Sequence, residues 1–282
     1  MILVIFLLLL VVGAPAKPAF SYANPQEENL GLFITGLAGN HEFKIFMDGA
    51  LSSLQKVLLA NGYKEEQFLT FSEKNSTKRT LENYMKETAK RPKPYANVFI
   101  FIAGHANGHD EDAFFHLRGT DVSYKTMMEW IGSIPAKQMI LVVAASQGEA
   151  WIKKLGKPGR IIIVGNGLQK FDFIPVTFLR LFPSMFSPLA PVEKDKAPVQ
   201  ISLKDVFLKT QKGVQDWYRV NELMPTEVAE IDADGDGKGE NLLDLIDFPP
   251  EKNLPDARPD SKMAESIIFL VPTTPIGKHH GH

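Results

Sequence analysis

The run NVFIFIAG, residues 97–104, is apolar on both of its alternating faces. A strand with no face to give to water belongs inside a sheet covered on both sides, the setting of a parallel sheet flanked by helices. Four more runs read as strands: GLFITGLAG (31–39), FLTFS (68–72), QMILVVAA (138–145) and RIIIVG (160–165). Amphipathic segments separate them. Asn40 caps a helix with Phe43, Phe46, Met47, Ala50, Leu54, Val57 and Leu58 on one face, and Asn61-Gly62 ends it. Thr77 caps a second with Leu81, Tyr84, Met85 and Ala89, so NST at 75–77 reads as a cap rather than a glycosylation site. A third carries Tyr124, Met127, Met128 and Ile131, and a fourth runs from about 149 to 155. AFFHL (113–117) reads as a small hairpin. Strands alternating with helices predict an α/β fold: an open, mostly parallel sheet with helices on both faces, over residues 28–183.

The remainder, 184–275, is expected to be a helical and irregular C-terminal extension packing on that domain. It opens with proline-rich sequence (182–200), then Ser202 with Asp205 starts a helix, and SIIFLV (266–271) reads as a last strand. A tail, 276–282, carries His279, His280 and His282 and is expected to do nothing specific. At the other end, residues 1–23 read as a signal peptide. An apolar stretch from Ile2 to Val12 is too short for a comfortable span of about 20 residues, and small residues follow it. The expected location is therefore secreted or periplasmic, without a transmembrane span once the signal is removed; an uncleaved anchor is the alternative. A net charge of -2 gives no case for nucleic acid. The chain has 0 cysteines, so neither disulfides nor a thiol nucleophile exist in it.

In open parallel sheets, sites form where loops leave the carboxyl ends of strands. Here the third strand runs into His105, and the fourth into Ala144-Ala145-Ser146-Gln147-Gly148. A histidine after one strand and a small nucleophile after the next resembles the caspase-like peptidases, the legumain family in particular. The order of hairpin, helix, Pro-Ala-Lys turn and nucleophile strand in FHLRGTDVSYKTMMEWIGSIPAKQMILVVAASQG is similar as well. The likeness covers about residues 30–165, and TEVAEIDADGDGKGE (226–240) looks like the tail of exported bacterial legumain-like proteins. The resemblance implies a caspase-like fold, with His105 and Ser146 as the catalytic pair and Gly148 in an oxyanion turn. It also implies that Gly104, Ala106, Ala144 and Gln147 line the substrate side.

The departures bear on function. Ser146 stands where the family has its cysteine, Ala106 where it has glycine, and Ala144 where it has an acid or glutamine. A thiol ionises near pH 8.5, whereas a serine hydroxyl needs an imidazole held in the right tautomer. One of Asp110, Glu111 or Asp112 is expected to orient His105 if any acid does. Two readings follow. One is a degenerate peptidase homologue that binds a peptide or protein partner in the former active-site crevice; the other is an active hydrolase using a Ser146/His105 dyad. No cofactor is expected, with a structural calcium on the acidic loop as the alternative. DADGDGKGE offers Asp232, Asp234 and Asp236 as oxygen ligands, like the start of a calcium loop, but Leu243 holds the twelfth position, where a glutamate is needed. His105, His109 and His116 have no common zinc spacing.

Overall fold

The computed structural model describes residues 28–167, 174–187, 199–243 and 259–271. The expected signal segment, most of the proline-rich stretch and the histidine tail lie outside these residues. Six strands form the main sheet: β1 (Leu30–Thr35), β2 (Phe68–Phe71), β3 (Tyr95–Ala103), β7 (Ala136–Ala144), β8 (Arg160–Val164) and β10 (Glu230–Asp232). Their order is β10-β8-β7-β3-β1-β2. All neighbours are parallel except β10, which runs antiparallel to β8. The sheet is open, as the alternation of the sequence predicts.

Period-two alternation along the strands builds two cores. Phe99 and Phe101 of β3, with Ile140 and Val142 of β7, face helices α1 (His41–Ala60), α5 (Val176–Ser184), α6 (Leu203–Val220) and α7 (Pro259–Ser266). Val98, Ile100 and Ile102, with Leu141 and Val143, face α2 (Lys78–Ala89), α3 (Tyr124–Gly132) and α4 (Gly148–Leu155). The caps sit where the sequence places them. Asn40 accepts from the Phe43 N–H, Thr77 shares a reciprocal box with Thr80, and Ser202 accepts from the Asp205 N–H.

One smaller piece departs from the sequence reading. Phe114–Phe115 (β5) pairs on both sides, with Ala106–Asn107 (β4) and Val122–Ser123 (β6), so the expected hairpin is a three-stranded antiparallel sheet. Ile268–Leu270 (β11) pairs with Gln200–Ser202 (β9) in a separate ribbon. Among the described residues after 184, Phe207, Ile231 and Phe269 belong to the α1-side cluster.

The amino end of α5 is satisfied from afar. Buried Glu227 accepts from the Thr177 N–H at 3.0 Å and the Phe178 N–H at 2.7 Å. Glu227→Ala leaves both donors buried without an acceptor and is expected to cost about 2–3 kcal/mol. Leu141→Ala, deep in the other core, is expected to cost about 2–5 kcal/mol. Urea unfolding reads both; a change within error for Glu227→Ala would contradict the cap.

Candidate functional site

Register decides what meets at the carboxyl edge. Ala103 of β3 lies opposite Thr35 of β1 and Ala144 of β7, so three strands end level with one another. His105 and Ser146 each follow two residues later. Beside them, Val143 pairs with Val164, which brings Asn166 against the turn after β7. The Gly148 N–H donates to the Asn166 carbonyl at 2.9 Å. A Cβ on Gly148 would lie 2.5 Å from that carbonyl oxygen and 2.6 Å from Val164 Cβ, so only glycine fits here. The turn itself is tight: Gln147, not a glycine, adopts the left-handed conformation at φ 57° and ψ 41°. Gly104 is confined as well. Its N–H reaches the Ala144 carbonyl at 3.3 Å, and an added Cβ would meet the Phe115 ring at 2.8 Å.

His105 is half-buried, with Phe43 packed edge-on at 5.2 Å between centroids. Its Nε2 stands 3.0 Å from the Ala38 carbonyl, in the loop after β1. A carbonyl only accepts, so Nε2 carries the proton and Nδ1 keeps its lone pair. The expectation that Asp110, Glu111 or Asp112 orients this ring is corrected: these three form a short turn, and Glu111 pairs with Lys154 at 3.1 Å. A backbone carbonyl performs the task. Desolvation pulls the His105 pKa below its ordinary value, and nearby His116 adds to the fall against the Ala38 bond.

Ser146 is fully buried, and its hydroxyl donates to the Ala106 carbonyl at 3.1 Å rather than to the imidazole. Its own carbonyl accepts from the Tyr124 hydroxyl at 2.8 Å. Ala144 is also fully buried, with its methyl in the α1-side core. Ala106 and Gln147 are buried, and among the described residues the Gln147 Nε2 has no hydrogen-bond partner. Among those residues the two amide atoms of buried Asn166, which the sequence reading did not single out, have none either. Unpaired polar groups of this kind are costly inside a protein. The fold therefore gathers polar groups with unused capacity beside the Ser146 turn.

The acidic loop lies elsewhere. One oxygen each from Asp232, Asp234 and Asp236 falls within 4.8 Å of the others, so these carboxylates can converge on a cation. Three oxygens fall short of the six to eight that calcium takes, and Leu243 is buried and apolar. The Asp232 oxygens accept from the Gly235 and Gly237 N–H groups, while Asp260 of α7 accepts from those of Ala233 and Asp234. Burial pushes Asp232 up to about 6 and Asp260 up to about 7, with neighbouring aspartates adding to both. Glu230 of β10 is likewise raised to about 7 by burial and by the charge of Glu149.

The imidazole allows a direct check. An NMR titration of the His105 ring is expected to give a midpoint below the ordinary 6.5. As pH falls past 6.5, the folded chain then binds fewer protons at this ring than the unfolded chain, so His105 withdraws stability in that window. A midpoint above 6.5 would contradict the burial and the neutral ring.

No protein-family model matches the sequence, and a search of curated proteins finds no match. Solved structures do resemble the chain. It overlays pro-sf-caspase-1 with a TM-score of 0.50 at 12% identity, covering 79% of this chain and 97% of that one. Caspase-1 from Spodoptera frugiperda gives 0.47 at 11% identity, covering 79% and 92%. The Drosophila initiator caspase Dronc gives 0.49 at 10%, covering 79% and 85%. At such identities the likeness speaks for architecture alone: this chain has a caspase-like α/β fold.

Proposed function

We propose that this chain is a peptidase homologue, legumain-like in type, that holds a peptide or protein segment at the carboxyl edge of its sheet without cleaving it. The observation that carries the reading is the Ser146 hydroxyl, buried and donating to the Ala106 carbonyl. An oxygen nucleophile is a weak acid and needs its proton taken by the imidazole in the transition state. Here its hydrogen points at a backbone acceptor. The Gln147 Nε2 and the Asn166 amide support a binding role: unpaired among the described residues but buried, they meet a peptide backbone only when the turn after β7 opens. The apolar leader supports export, and the serine is read as this chain's replacement for the family's cysteine.

One observation favours the second reading, a working Ser146/His105 hydrolase. With Nε2 on Ala38, the Nδ1 lone pair of His105 is free to accept a proton. Turning the serine toward it would complete a dyad without an acid.

The two readings separate on a diverse peptide library incubated with the purified protein, Ser146→Ala, His105→Ala and Ser146→Cys. The binding reading predicts no cleavage by the native chain and a gain of peptidase activity in Ser146→Cys, because sulfur supplies the missing acidity. Cleavage by the native chain that disappears in both alanine variants would overturn it.

A further inference from the structure

A second imidazole stands beside His105, and the proposed function leaves it unused. β4 pairs with β5 through Ala106 and Phe115, and the ladder continues one step further, the His116 N–H donating to the His105 carbonyl at 2.9 Å. His105 and His116 are therefore opposite one another. Opposite residues of an antiparallel pair project from one face, with Cβ atoms about 5 Å apart. Ala106 and Phe115 turn inward and are buried, so the two histidines, each half-buried, share the other face.

Each ring has one nitrogen held by an oxygen that can only accept. For His105 it is Nε2 against the Ala38 carbonyl. For His116 it is Nδ1, 2.9 Å from Asp121 Oδ2, and the other oxygen of that carboxylate accepts from the Leu117 N–H at 3.1 Å. In their neutral forms the protons sit on those nitrogens, and the lone pairs sit on His105 Nδ1 and His116 Nε2. Metal-ligating imidazoles are arranged this way: the outer N–H goes to a carbonyl or carboxylate, which fixes the tautomer.

We infer that His105 and His116 form a two-imidazole site for a divalent transition-metal ion of the zinc class. Imidazole nitrogen selects such ions over calcium. Among the described residues, the one cluster of three ligating side chains is the aspartate trio of the acidic loop, so water or a carboxylate of a bound partner fills the remaining positions here. The site needs no bound peptide, and a metal on it takes the His105 Nδ1 lone pair that the hydrolase reading needs as its base.

Calorimetric titration with zinc alone tests it, in protein carrying His279→Asn, His280→Asn and His282→Asn so that the tail does not compete. One zinc per chain is expected. Either His105→Ala or His116→Ala should weaken it at least tenfold, and Asp121→Asn by about tenfold. His116 is partly exposed, so its alanine variant is expected to melt at an unchanged temperature. Zinc should also shift the His116 ring resonances in NMR. The inference is overturned if the tail-substituted protein binds no zinc, if His116→Ala binds it unchanged, or if Asp232→Asn alone removes it.

Discussion

The level pairing of β3 with β7 is the constraint on which the site depends. Two strands buried on both faces cannot slip by one residue without turning every side chain to the opposite core, so the register is fixed by Phe99, Phe101, Ile140 and Val142 on one side and Ile100, Ile102, Leu141 and Val143 on the other. Once Ala103 stands beside Ala144, the residues two places on are neighbours, whatever they are. The sheet thus delivers an imidazole and a hydroxyl to one edge from positions far apart in the chain. Pairing with β1 adds the loop that carries the Ala38 carbonyl.

Chemistry at that edge is divided. The imidazole is well prepared: packed against Phe43, kept neutral by desolvation, and locked in one tautomer by a backbone oxygen. The hydroxyl is not, for it is buried and committed to Ala106. Holding a base ready while withholding the nucleophile is the physical content of the binding reading. The same locked ring, standing opposite a second histidine held by Asp121, is the geometry from which the metal site is inferred.

Much of this was legible in the sequence because it is written in side-chain patterns. Five apolar runs gave the parallel strands, and Asn40, Thr77 and Ser202 marked helix starts by residue type alone. What stayed hidden has no side-chain signature or depends on distant partners. Ala38 acts through its carbonyl, which any residue could supply. Glu227 caps α5 from 50 positions away, and Gln147 takes a left-handed conformation that glycine would mark more openly. Asp121 was within reach of inference: only five positions separate it from His116 across a turn holding Gly119. The acids at 110–112 were the more visible candidates, being nearer to His105 in sequence, but the fold turns Glu111 toward Lys154 instead.

The most direct measurement is the tautomer of His105, read from long-range proton–nitrogen correlations of the ring at neutral pH. A ring held by the Ala38 carbonyl carries its proton on Nε2 alone and shows a single, slowly exchanging form. A proton on Nδ1, or a ring averaging between tautomers, would mean that the loop after β1 does not hold the imidazole, and the account of the site would fail with it.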